Sequence, residues 1–507
     1  MQTKKTRLFY AKINTATFFL KEVIALVCNF VLPRLILGYF GSSYNGLVAS
    51  ITQFLNIVSF FRIGIAGAAR LSFYSPLAKN DSTELSSSVN TFQRYMKKSG
   101  IVVLLYIIAL SIGYPLIFGT EFAFLDCFIL ALALGASTFA QYFFGIIYSA
   151  VLEADQKAYI LNILACIANV IVTILSCILI IIGLSLPLVK VACAIVWIIH
   201  PLFIYFFVSR KYHINKKAKA DPGILKRKND VMLHSIANIV HENVDVTTLT
   251  ILSTKALISV YSVYAIVING LKQVISIFTN SLEAPFGEMF AKSEFDNIQK
   301  SMQLYEYVAF GLSSVLYGPA LVLIIPFVRL YTSGVNDVEY ILPLYAFFVI
   351  LSGLFFSLRT PYLTVVQAGG YYKETRLYAI IEAALNLIIS FALFPVFGLI
   401  GVALGTIIAN LFRTFSFALF IYKRILHIPI IDLFKRFFWL FLNFITIYCL
   451  TNKLTSLIAS QGWYYWIICG FACVGISLFV VFFTSIVFYH GEFYKTFKLF
   501  FRREKSK

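Results

Sequence analysis

Nine basic residues of this chain stand inside or at the ends of long apolar runs: Lys21, Arg34, Arg62, Arg70, Lys190, Lys272, Arg329, Arg359 and Arg413. Arg70, Lys190, Arg329 and Arg413 are close enough to a run's end for their long side chains to reach an interface. Lys21, Arg62, Lys272 and Arg359 are not. Arg62 falls near the middle of FLNIVSFFRIGIAGAARLSF, Phe54 to Phe73. A charge at a bilayer centre costs at least ~2.5–3.5 kcal/mol, so such a residue faces a cavity, a partner or a substrate path. Two readings of Arg62 follow: a structural pairing with an acid such as Glu22, or the wall of a positively charged cavity shared with Lys21 and Lys272 and extended by Arg34. Such a cavity suits an anion. Arg359, in SLRTPYL ahead of a proline kink, reads more readily as structural.

Acids are fewer. SIANIVHENVDVTTLTIL holds His241, Glu242 and Asp245. Glu242 and Asp245, at i and i+3, share a helix face. Acids within spans mark ion relays, so proton or sodium coupling stands beside a pairing with Lys272 on the next helix or a site near water. Asp126, Glu306 and Glu382 lie near span ends, where pairing is the simpler role.

These residues sit in a chain of 507 residues that is 60% hydrophobic and 13% charged, with mean hydropathy +0.84. A soluble chain carries about a quarter charged residues, so the class is an all-α integral membrane protein. Spans need about 20 apolar residues each. That rule places about 14, near 14–39, 44–78, 99–118, 122–152, 158–183, 186–209, 231–253, 256–287, 301–331, 338–368, 377–396, 398–422, 437–452 and 462–489. The basic start MQTKKTRLFYAK leads into a run that is too long for a signal peptide and lacks a small-residue cleavage site. With the N-terminus inside, every basic residue outside the spans except Lys255 and Lys453 falls on the cytoplasmic side. Both termini are then cytoplasmic. The net charge of +19 is thereby a matter of topology, and nucleic acid is not implied.

The basic stretch RKYHINKKAKADPGILKRKND reads as a linker. The expected organisation is an N-lobe at 1–209 with spans one to six, a linker at 210–230, and a C-lobe at 231–423 with spans seven to twelve. Spans thirteen and fourteen follow at 424–490, then a basic tail at 491–507. Ala78-Lys79 and Ala291-Lys292 close the second helix of each lobe, a faint internal repeat that places a substrate site at the repeat interface. Gly398, Gly401 and Gly405 allow close helix packing. The eight cysteines, all in apolar spans and none in a CxxC pair, read as small packing residues. No metal or cofactor is implied. No Walker A, GxGxxG, HExxH or GxSxG sequence is present, and no soluble segment could hold an ATPase. Short outer loops and scattered histidines argue against an enzyme such as a polymerase or ligase.

Three segments resemble the polysaccharide transporter family, the O-antigen and capsule-repeat flippases: GLVASITQFLNIVSFFRIGIAGAARLSFYSPLAKND, VDVTTLTILSTKALISVYSVYAIVINGLKQVISIFTNSLEAPFGEMFAK, and Gln367 to Phe412. The resemblance implies the multidrug/oligosaccharidyl-lipid/polysaccharide exporter fold, with two six-helix lobes about a central cavity plus two C-terminal helices. It implies alternating access in a bacterial inner membrane. The substrate implied is an undecaprenyl-diphosphate-linked oligosaccharide, flipped to the outer leaflet for surface polysaccharide assembly, with a polymerase and other assembly proteins as partners. Lipid II flippases of that superfamily carry basic residues on spans one, two and eight, the helices of Lys21, Arg62 and Lys272. A cation-coupled drug exporter and a non-transporting assembly scaffold are the alternatives.

Overall fold

A computed structural model describes residues 4–58, 60–118, 121–218, 243–280, 282–458 and 461–494, and within them every side chain except those at 4–8, 11, 60–64, 280, 284, 454 and 456–458. The described chain is all-helical, and twelve of its helices are long and apolar enough to cross a membrane. It is a multi-span membrane protein. By contacts it divides into two compact units, Met1–Ser259 and Val260–Lys507.

The first unit opens with α1, Lys4–Ile57, which contains Pro33 and a break at Gly41. Gly41 adopts φ 83°, ψ 178°, a conformation that strains any residue with a Cβ. The first and second expected spans therefore meet at one residue with no loop between them. The second, expected at 44–78, is the helix up to Ile57 followed by α2, Phe60–Lys79. Then come α3 (Ser82–Phe118), α4 (Phe124–Ala140), a π-turn at Gln141–Gly145, α5 (Ile146–Ala154), α6 (Ala158–Ile181) and α7 (Leu186–Lys211). α3 starts well before the expected 99 because Asp81 caps it. Its Oδ1 accepts from Thr83 Oγ1 at 2.6 Å and from the amides of Thr83 and Glu84 at 2.9 and 3.0 Å. Those bonds, led by the Thr83 hydroxyl, hold the exposed carboxyl below the usual range. At the π-turn the Phe143 carbonyl accepts from Gln93 Nε2, so the misplaced backbone group is satisfied.

Residues 243–252 are helical and α8 spans Lys255–Asn280. Residues 243–259 pack within the first unit. Ser50 and Thr250 share a hydrogen bond of 2.7 Å, and Asn45 Nδ2 donates to Ser259 Oγ at 2.8 Å. The start of the expected span 231–253, most of the linker and the end of the tail lie outside the described residues.

The second unit continues with α9 (Glu283–Ala291), α10 (Phe295–Tyr331), α11 (Pro343–Leu358), α12 (Thr360–Ala368), α13 (Tyr372–Phe397), α14 (Leu399–Ile421), a π-turn at Tyr422–Leu426, α15 (Ile431–Ile458) and α16 (Trp463–Phe488). α10 and α11–α12 form its interior. α16 is peripheral and turns Phe471 and Phe479 outward, a surface suited to lipid. α13 and α14 pack backbone to backbone. A Cβ on Gly401 would lie 2.5 Å from Leu393 O, and one on Gly405 2.3 Å from Ser390 Oγ. α2 ends at Lys79 and α9 at Ala291, so each Ala-Lys pair does close a helix.

Candidate functional site

The charges of the second unit converge on one glutamate. Pro361, near the start of α12, lacks an N–H and cannot continue the helical hydrogen bonding of α11, so the chain breaks at Arg359. The side chain of Arg359 reaches Glu382 on α13, and the other carboxylate oxygen of Glu382 accepts from Arg413 on α14. Glu382 and Arg413 are fully buried and Arg359 is 4% exposed. Polar side chains line the surroundings: Asn410 Nδ2 donates to Ser352 O at 3.1 Å, and Tyr317 and Ser357 share a bond of 2.8 Å.

One carboxylate against two guanidiniums leaves the cluster with a net positive charge. Phe356, on α11, extends it. The Arg359 guanidinium carbon lies 4.4 Å from the Phe356 ring centroid and Lys272 Nζ lies 4.2 Å from the same centroid. Cation–π contacts at this range are worth about 0.5–2 kcal/mol. Lys272, on α8, is only half-buried. It is the accessible face of a cationic group whose other members are sealed. Arg359, not close enough to a run's end to snorkel and read more readily as structural, is held in a closed ion-pair cluster. Arg413 does not snorkel, because a buried carboxylate awaits it.

A second buried network lies in the same unit. Glu306 on α10 accepts from Arg436 at 3.0 Å and from the Tyr422 hydroxyl at 2.9 Å, and Arg436 Nη2 donates to Gln303 O at 3.0 Å. Charge counting alone puts Arg436 in a cytoplasmic loop. In the structure it is 4% exposed and sits in the first turns of α15, which begins six residues earlier than the expected span at 437.

In the first unit Lys21 pairs with Glu22 at 2.6 Å and stands over the Phe18 ring at 4.7 Å. Glu22, the acid suggested for Arg62, is therefore engaged by its own neighbour. Arg34 is half-buried on α1. Arg62 lies on α2, with its side chain outside the described residues. Glu242 lies outside them as well, and Asp245 is half-buried in the helical stretch 243–252. The structure thus joins Lys272 to Arg359 through Phe356 and places Lys21 and Arg34 on one helix. The sequence offered Glu382 as a pairing acid and Arg413 as a residue able to reach an interface, but did not join the two. The available signal was an acid on the apolar run 377–396 with an arginine on the next.

A cavity of about 780 Å³ lies elsewhere in the second unit, between α10, α11 and α15. Its walls are mostly apolar, Phe347, Leu351, Phe441 and Ile445 among them, with Arg329 and Asn452 as polar lining.

Several solved structures share this fold. The lipid II flippase MurJ in an inward closed conformation is similar with TM-score 0.66 at 18% identity, covering 94% of this chain and 98% of that one. An inward-facing multidrug resistance MATE transporter of the MOP superfamily gives TM-score 0.61 at 12% identity, over 81% and 98%. The Vibrio cholerae MATE transporter VcmN in its bent form gives 0.57 at 15%, over 84% and 98%. No family model and no curated protein sequence matches the chain. The likeness establishes the fold: this chain is built as these flippases and transporters are.

Proposed function

We propose that the chain is a flippase that carries an undecaprenyl-diphosphate-linked oligosaccharide from the cytoplasmic to the outer leaflet of a bacterial membrane by alternating access. The observation that carries this reading is Lys272, half-buried at the edge of a charge cluster that has more guanidiniums than carboxylates. An anionic diphosphate is attracted by that excess. A drug exporter for organic cations is disfavoured by it, and a scaffold has no use for it. The apolar cavity of about 780 Å³ in the same unit supports a substrate with a hydrocarbon tail. Arg62, in the first unit, is a phosphate ligand in its own right, since arginine meets phosphate oxygens with two parallel hydrogen bonds. Lys21 and Arg34 add positive potential, and Glu242 and Asp245 bind the driving proton or sodium ion. The basic loops face the cytoplasm, and the polymerase and other assembly proteins work on the product.

The test is Lys272→Ala against Lys272→Arg in cells that make surface polysaccharide. The alanine variant loses surface polymer and accumulates lipid-linked repeat units on the cytoplasmic side, whereas the arginine variant keeps part of the export. Normal export by Lys272→Ala at wild-type expression refutes the reading.

A further inference from the structure

The first unit contains a lysine that the flipping reading does not use. Lys190 lies on the second turn of α7, between Leu186 and Lys211. It lines a partly open cavity of about 160 Å³ between α1, α4, α6 and α7, with Cys28, Asn29, Asn169, Thr173, Cys193 and Trp197. Its length would allow it to snorkel, but the cavity gives it a polar recess inside the unit instead.

Hydrogen-bond accounting shows what that recess lacks. Thr173 Oγ1 donates to Asn169 O at 2.8 Å, Asn169 Nδ2 to Ala165 O at 3.0 Å, and Ser137 Oγ to Leu134 O at 3.0 Å. The Cys193 thiol is paired with Ser176 at 3.0 Å. Those protons are spent on the protein. Among the described residues the Lys190 ammonium makes no ion pair, and neither it, the Asn29 amide nor the Trp197 indole N–H makes a hydrogen bond. No carboxylate lines the cavity. Three kinds of donor and one positive charge therefore face a small space that offers no counter-charge. Lys190 and Trp197 are half-buried and Asn29 is exposed, and an intramembrane cation needs a partner. Lys190, Ala194 and Trp197 recur at i, i+4 and i+7, so ammonium and indole share one face of α7.

We propose that this cavity binds a small monovalent anion of the halide class, held by the Lys190 ammonium with the Asn29 amide and the Trp197 N–H as further donors. A water takes about 30 Å³ of liquid volume, so the space fits one such anion with a few retained waters. It excludes a diphosphate bearing a sugar. The site is separate from the Lys272 cluster, which lies in the other unit.

Trp197 provides the readout, because iodide and bromide quench indole fluorescence on contact. Full-length protein in nanodiscs is titrated with sodium iodide at constant ionic strength, with chloride as competitor. The wild type is expected to show a saturable quenching component that chloride displaces and that Trp197→Phe removes. Lys190→Gln is expected to weaken it by roughly tenfold or more, the loss of one charge-assisted hydrogen bond, with Lys190→Arg close to wild type. Asn29→Leu gives a second, smaller loss should Lys190→Gln fail to fold. Quenching that is linear in iodide, or a saturable component unchanged in Lys190→Gln, overturns the proposal.

Discussion

Replacing Glu382 by glutamine tests the charge cluster most directly. The change is nearly isosteric, so packing is preserved and only the charge is lost. In the wild type a fully buried carboxylate serves two guanidiniums, Arg359 at 4% exposure and Arg413 at none. In Glu382→Gln both guanidiniums remain buried and lose the carboxylate that joins them. Removing one partner of a buried ion pair costs about 3–5 kcal/mol, and a carboxylate shared by two arginines puts this variant at the upper end. That is about two to four orders of magnitude in the folding equilibrium at about 1.4 kcal/mol per tenfold. Arg359→Met has a different expected outcome, since it leaves a balanced pair of Glu382 with Arg413 and a hydrophobic side chain in place of the second guanidinium. Its cost should be well below that of Glu382→Gln. The assay is equilibrium unfolding of the purified protein in mild detergent titrated with a denaturing one, together with the thermal midpoint by size-exclusion fluorescence. A Glu382→Gln loss within about 1 kcal/mol, the worth of an exposed pair, would refute the reasoning, as would an Arg359→Met loss equal to it.

Four further outcomes are expected. Arg62→Ala should abolish surface polysaccharide at normal expression through loss of about 1.5–3 kcal/mol of phosphate binding, with Arg62→Lys intermediate because it lacks the planar fork. The charge swap that combines Arg62→Glu with Glu22→Arg should not restore export if Arg62 binds phosphate; rescue by that swap would make Arg62 structural. The double variant Glu242→Gln/Asp245→Asn should flip repeat units poorly under an imposed proton or sodium gradient, measured in proteoliposomes, while expressing normally; unimpaired flipping gives the pair a structural role. Gly405→Ala places a Cβ 2.3 Å from Ser390 Oγ and 2.9 Å from its amide, so thermal unfolding should reveal a loss of about 1–3 kcal/mol, and an unchanged midpoint would mean that α13 and α14 part freely.

Much of the fold was readable because hydropathy is a local property. Runs of twenty apolar residues, the break at Pro361 and the glycines of α14 each announce themselves within a few positions. The Gly41 junction was not readable, since a glycine in an apolar run is compatible with a straight helix, and only φ reveals the turn. Charge pairing was legible in kind but not in detail. Glu382 and Glu306 read as pairing acids, and they do pair, but their partners lie 23, 31 and 130 positions away along the chain. Arg413 and Arg436 consequently read as interfacial or loop residues. Snorkelling is the default for a basic residue near a span end, and it is overridden when a tertiary neighbour supplies a carboxylate. Lys190 is overridden for another reason: a cavity rather than a carboxylate receives it.

The placement of charge in the second unit bears on how it can treat an anion. Among its described residues two buried acids, Glu382 and Glu306, face three buried arginines, Arg359, Arg413 and Arg436. The excess cannot be relaxed by rotating a side chain toward water, because each arginine is locked by a carboxylate and, for Arg359 and Arg413, by an aromatic ring at 4.4 and 4.9 Å. A fixed positive excess in a low-dielectric interior projects a field that solvent screens poorly. Lys272, half-buried and sharing Phe356 with Arg359, stands where that field meets accessible space. The sealed arginines need never touch a ligand to favour an anion. They make the position of Lys272 more attractive to phosphate than a lone lysine would be. On this argument Arg413→Met, which removes half of the guanidinium charge around Glu382 without altering any residue that reaches the accessible space, should weaken export less than Lys272→Ala and more than a neutral change on the lipid-facing surface such as Phe471→Leu, as measured by surface polymer at matched expression. Export by Arg413→Met equal to wild type would confine the site to Lys272 alone.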